Sequence, residues 1–142
     1  MKNSIKPEEQ ILKLIHEGRG KYKGTFKASV DNVEFMFADT NVVFHRAGEE
    51  YYIVGADRDN KNSVAFCVPW AIKEGPHEVK WYKGGLVWSV SKGGDFHEIQ
   101  QGVATVTFLQ SGEYKYGVKG EIDFSLPRVG KITGKFEIKL RE

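Results

Sequence analysis

Two hydrophobic periods divide the chain. Between Pro7 and Glu17 the apolar residues Ile11, Leu12, Leu14 and Ile15 recur at helical spacing and make one stripe. Pro7 suits a first-turn position, and Glu8 and Glu9 complement the positive end of a helix. Gly18, with Gly20 soon after, supplies a stop. The spacing predicts a helix over residues 7–17, of about three turns, too short to stand alone. Such a helix needs a surface, and it is expected to cover an open end or edge of a sheet.

From Lys21 onward the period is two. Phe26, Ala28 and Val30 alternate with Lys27 and Ser29, and Val33, Phe35 and Phe37 alternate with Glu34 and Met36. Asp31-Asn32 between them is a two-residue turn signal, so the two runs predict a tight hairpin. Further strands are expected over 41–46, 51–56, 63–68, 78–82, 86–91, 103–109, 113–126 and 129–140. The connections carry turn chemistry: Ala47-Gly48-Glu49, Asp57 to Asn62, Lys83-Gly84-Gly85, Lys92-Gly93-Gly94-Asp95, Ser111-Gly112 and Pro127. About ten short strands at this spacing imply an all-β fold, an antiparallel β-sandwich or a flattened barrel, with one short N-terminal helix. The whole of 1–142 reads as one domain, the helix at 7–17 and the β-domain over 20–141.

Three segments share a Gly-x-apolar-x-apolar-x-apolar pattern: Gly24 to Val30, Gly120 to Leu126, and Gly134 to Leu140. Each predicts one buried face, one wet face, and a glycine where the strand can kink or bulge. The last two, joined through Pro127 and Gly130, form a C-terminal hairpin. A wider order of features runs from Phe26-x-Ala28 and Asp31-Asn32-Val33-x-Phe35 through Tyr52-Ile53-Val54, Ser63-Val64-Ala65-Phe66 and Gly75. It continues with Gly102-x-Ala104-x-Val106 and closes on Ile132-Thr133-Gly134-Lys135-Phe136-Glu137-Ile138. Over residues 26–140 this is similar to small bacterial β-sandwich domains of unknown function, often lipoproteins, which open and close with such strands. The resemblance implies a fold and no activity. The chain departs from it in having no lipobox cysteine and no signal segment, so a cytoplasmic location is expected.

Composition narrows the classes. At 142 residues, 40% hydrophobic and 28% charged, the chain can bury a core without staples and is not a disordered sequence. No apolar run reaches the roughly 18 residues of a membrane helix. Cys67 is the one cysteine, which excludes an internal disulfide and a cysteine zinc site.

The net charge is only +2, but it is unevenly spread: residues 1–30 carry +4, residues 128–142 carry +3, and the middle carries −5. If the first and last strands pair, their wet faces form a basic stripe able to meet phosphate or anionic lipid. The plainer reading is that these lysines guard edge strands. No aromatic positions interleave with them, which argues against single-stranded nucleic acid. Exposed edges can either dimerise or be guarded, so the pattern fixes no oligomeric state.

Candidate chemistry centres on aromatic residues. All three tryptophans, Trp70, Trp81 and Trp88, lie within nineteen positions, with Tyr82 beside them. Residues 81–88 read as a hairpin whose neighbouring side chains alternate faces, so Trp81 and Tyr82 cannot both be core. An exposed ring near His77, Glu78 and Lys83 suits a sugar. The ligand-binding set is therefore Trp70, Trp81, Tyr82, Trp88, His77 and Glu78. The plainer reading is a core tryptophan and an outer cross-strand aromatic pair.

The remaining motifs do not assemble a reaction. The run from Asp57 to Ser63 has oxygen donors at alternate positions, but Asn62 stands where a calcium loop needs glycine and Val68 where it needs glutamate, so a polar hairpin turn is expected. His16, His45, His77 and His97 show no ligand spacing, and His97-Glu98 should point to opposite faces. Cys67 sits in an apolar strand, and no nucleophile elbow or phosphate loop is present. No catalytic residue, metal or cofactor is expected. Gly20-Lys21-Tyr22 after the helix resembles the opening of lipocalin-type barrels, with tyrosine in place of the usual tryptophan; that resemblance implies a hydrophobic ligand inside. The leading expectation is a non-enzymatic binding module for a carbohydrate. The alternatives are a lipocalin-like carrier and a protein-interaction module using edge strands and the basic stripe.

Overall fold

The computed structural model describes residues 7–82 and 87–141. In chain order it contains α1 (Pro7–Gly18), β1 (Tyr22–Val30), β2 (Val33–Ala38), β3 (Asn41–Ala47), β4 (Glu50–Ala56), β5 (Ser63–Pro69) and β6 (His77–Lys80). There follow β7 (Trp88–Lys92), β8 (Asp95–Glu98), β9 (Gly102–Ser111), β10 (Tyr114–Leu126) and β11 (Gly130–Leu140). The strands form two antiparallel sheets, one in the order β2-β1-β11-β10-β9-β6 and the other β3-β4-β5-β7-β8. The fold is an all-β sandwich of open sheets; the flattened barrel does not form.

Alternation decides what lies between the sheets. Phe26, Phe124 and Phe136 of the six-stranded sheet meet Phe66 of the other, with ring centroids 6.5, 5.9 and 5.6 Å away. Trp88 adds its ring 5.3 Å from Phe124. These rings occupy the space between the two sheets.

The three Gly-x-apolar segments are β1, β10 and β11, and they are neighbours in one sheet. Their glycines admit close backbone approach: a Cβ on Gly24 would strike the carbonyl of Glu137, one on Gly120 that of Thr105, and one on Gly134 that of Lys27. The Asp31-Asn32 hairpin forms as expected, with φ of 47° and 70°, the doubly left-handed turn that matches strand twist. Its Asp31 amide donates to the Lys131 carbonyl at 2.9 Å, and Asp31 Oδ1 accepts from the Lys131 amide at 3.0 Å, so the turn is tied to the start of β11.

Three expectations need correction. The helix is not among them: it runs over Pro7–Gly18 and packs against β3, an edge strand of the five-stranded sheet, and against β4. Ile11, Leu14 and Ile15 are buried there, whereas Leu12 is exposed. Residues 81–88 are not a hairpin: β6 pairs with β9, while β7 pairs with β5 and β8 in the other sheet. The chain changes sheets between them, and the turn expected at Gly84-Gly85 lies outside the described residues. An eleventh strand, β8, occupies Asp95–Glu98, too short and polar to show as a period-two run. Finally, β1 and β11 do pair, but as interior strands, so their lysines guard no edge. No helix among the described residues is long and apolar enough to cross a membrane.

Candidate binding site at the Trp70 end

The change of sheets separates the three tryptophans. Trp88 begins β7 with its side chain in the core, 5% exposed, against Phe66, Phe124 and the edge of Tyr82. Its Nε1 finds no acceptor among the described residues. Trp88 therefore lies in the core, and its ring offers little surface to solvent. Trp81 continues the β6–β9 ladder, donating its amide to the Gly102 carbonyl at 2.8 Å, and its half-buried ring packs against the core.

Tyr82, the next residue, turns toward the other sheet. Its hydroxyl donates to Glu50 Oε1, and Cys67 Sγ lies 3.5 Å from the Tyr82 hydroxyl oxygen. Burial raises the Tyr82 pKa well above the tyrosine range, and the hydrogen bonds with Glu50 and Cys67 raise it further. Tyr82 is a structural strut joining the end of β6 to β4 and β5, and its hydroxyl stays protonated.

His77 and Glu78 do not join the tryptophans either. His77 Nε2 faces the Glu74 carbonyl at 3.4 Å, and exposed Glu78 sits one position on, on the opposite face of β6. His97 and Glu98 belong to β8, the edge of the other sheet, and so lie in a different sheet from His77 and Glu78. Among the described residues no group of three or more His, Cys, Asp or Glu could hold a metal ion.

Trp70 is the most exposed of the three tryptophans, at 38%. It follows β5, and its amide donates to the Glu49 carbonyl at 2.9 Å, which fixes it beside the β3–β4 turn. That turn brings Arg46, whose guanidinium carbon lies 4.3 Å from the centre of the Trp70 ring while Nε donates to the Gly48 carbonyl at 3.0 Å. From the other sheet comes Lys115. Its Nζ donates to the Trp70 carbonyl at 2.9 Å and lies 5.7 Å from the Trp70 ring centre and 5.1 Å from that of Phe108. Beneath them Phe44 and Tyr51 stack at 4.4 Å and both meet Phe108.

The same strand presents a second aromatic pair. Tyr114 and Tyr116 flank Lys115, with ring centroids 6.2 Å apart, and Tyr114 is 61% exposed. One end of the sandwich thus combines a half-exposed indole with two cations, while the tyrosine pair lies beside Lys115 on the same strand. Sequence reading found Trp70 but not its partners. Arg46 and Lys115 are 24 and 45 positions away, and only the pairing of strands brings them together; the Tyr-Lys-Tyr alternation at 114–116 was the legible signal.

The chain matches no family model, no curated protein and no solved structure.

Proposed function

We propose that the chain is a non-enzymatic binding module that takes a carbohydrate at the Trp70 end, and that it prefers saccharides bearing acidic groups. The observation that carries this reading is the half-exposed Trp70 ring with Arg46 and Lys115 held against it. A flat indole offers apolar area for the C–H face of a sugar ring, and few placed polar groups suffice to orient a ligand. The two cations favour carboxylate or sulfate, since a guanidinium accepts an oxyanion with two parallel hydrogen bonds.

Calorimetric titration with neutral and acidic oligosaccharides tests this. Acidic sugars should bind at least about tenfold more tightly than neutral ones of equal length, a difference of about 1.4 kcal/mol. Trp70→Ala should abolish binding, and Arg46→Gln should erase the preference for acid. Equal affinity for both classes, or binding untouched by Trp70→Ala, would overturn the reading.

A second reading has its own observation. The pairing of β1 with β11 aligns Lys23, Lys27, Lys131, Lys135 and Lys139 on one outer face. An acidic protein partner there would be released by salt. It ranks below the first because Asp123, Glu121 and Glu137 already pair with Lys131, Lys135 and Lys139 at 3.5, 3.7 and 3.5 Å.

A further inference from the structure

The two sheets have four edges, and three carry devices that discourage pairing with another chain. β6 and β8 are four residues long, are charged, and β6 follows Pro76. β3 has the helix packed along it and carries His45 and Arg46 just before its end at Ala47. Among the described residues the fourth edge, β2, is neither as short nor packed by the helix, and its one charged residue is Glu34. It runs for six residues, Val-Glu-Phe-Met-Phe-Ala, about 20 Å, without lysine or proline. It leaves Val33 70% and Phe37 42% exposed, two of the five exposed large apolar residues among those described.

The strand is also complementary to itself. Its register with β1 shifts between Ala28 and Ser29, so Ser29 faces Glu34 while Lys27 faces Phe37. A bulge of this kind can turn an edge away from partners. Here it has another consequence. Ser29 and Lys27 share the outer face of β1, so Glu34 and Phe37, three positions apart, share one face of β2. A two-fold axis perpendicular to the sheet requires paired residues to lie on the same face. Pairing Glu34 with Phe37 of a second copy meets that condition, and the same register sets Val33 against Ala38. Lys27 Nζ lies 5.8 Å over the Phe37 ring, so each Glu34 carboxylate is brought beside the Lys27 ammonium of the other copy. Acid meets base twice, and the apolar ends cover one another.

We propose that β2 pairs antiparallel with β2 of a second copy, joining the two six-stranded sheets into one. The contact is small and therefore concentration-dependent. Sedimentation velocity over a roughly hundredfold concentration range reads it directly. The wild-type chain should pass from monomer to dimer. Phe37→Lys and Val33→Lys, both exposed and so compatible with the fold, should leave a monomer with unchanged circular dichroism. Glu34→Lys and Lys27→Glu alone should each raise the dissociation midpoint at least about tenfold, and the double exchange should restore it by recreating the pair with reversed signs. A monomer at every concentration overturns the proposal. So does a dimer indifferent to Val33→Lys and Phe37→Lys, or a double exchange that restores nothing, which would assign the edge to a different strand.

Discussion

Gly55 of β4 and Phe26 of β1 meet directly between the two sheets: a Cβ added at Gly55 would stand 2.6 Å from Phe26 Cβ. Glycine is required there because Phe26, fully buried, needs that space to reach Phe66 and Phe136. Gly55→Ala should therefore cost about 1–3 kcal/mol, the usual range for overpacking a core. Urea denaturation would show it as a lower midpoint with an unchanged slope. An unchanged midpoint would mean that the sheets separate more easily than this packing implies.

The strut between Tyr82 and Glu50 gives a second expectation. Tyr82→Phe removes the hydroxyl and leaves a half-buried carboxylate without that donor, at a cost of about 1–3 kcal/mol. Pairing it with Glu50→Gln should recover part of the loss, since a neutral amide is cheaper to leave unpaired. A loss identical in the single and double variants would show that Tyr82 acts through its ring alone.

Alkaline pH should unfold the protein through its tyrosines. Burial raises the pKa values of Tyr22, Tyr51, Tyr52 and Tyr82, with Arg46 partly offsetting this at Tyr51. A group whose folded value lies above its unfolded value contributes full stability below the unfolded one, here about 10, and loses it as pH rises beyond. Denaturation midpoints should stay level on this account up to about pH 9 and then fall. Tyrosinate absorbance should appear with loss of structure and not before it.

Acid acts through the β4–β5 turn. Burial disfavours the Asp57 carboxylate, but hydrogen bonds from the side chain and amide of Asn62 and from the Lys61 amide hold its pKa below the usual 3.8. Asn41 ties the same turn down by donating to the Asp57 carbonyl at 3.1 Å, and Asn62 Oδ1 accepts from the Gly93 amide at 2.8 Å. A lowered folded value means that this stabilisation is present above the unfolded pKa and is lost as pH falls through the folded one. Asp57→Ala should cost about 1–3 kcal/mol at neutral pH, and most of the difference from wild type should vanish in strong acid. A cost that persists undiminished in acid would point to packing and not to the charge.

The central lysines are a site of conflict. Lys23 stands directly opposite Lys139, and Lys27 opposite Lys135, on interior strands where like charges repel. Lys23→Glu should raise stability by about 0.2–1 kcal/mol, with the gain shrinking as salt is added. No gain at low salt would mean that the two ammonium groups already avoid one another.

Much of the fold was legible because it rests on local rules. The helix, the Asp31-Asn32 turn and ten of the strands follow from period, caps and turn residues, which act within a few positions. The change of sheet after β6 was not legible. A hairpin and a crossover can share the same pattern, aromatic alternation followed by glycines, and only pairing with β9 or β5 tells them apart. That single ambiguity explains the site as well. Trp81 and Trp88 are close in sequence and belong to different sheets, while Trp70, Arg46 and Lys115 are distant in sequence and meet in space.

The most direct measurement uses the three indole N–H resonances during titration with an acidic oligosaccharide. The account predicts that the Trp70 signal shifts saturably, that buried Trp88 stays still, and that Arg46→Gln weakens the shift. A saturable shift at Trp88 with Trp70 unmoved, or no shift at any of the three, would contradict it.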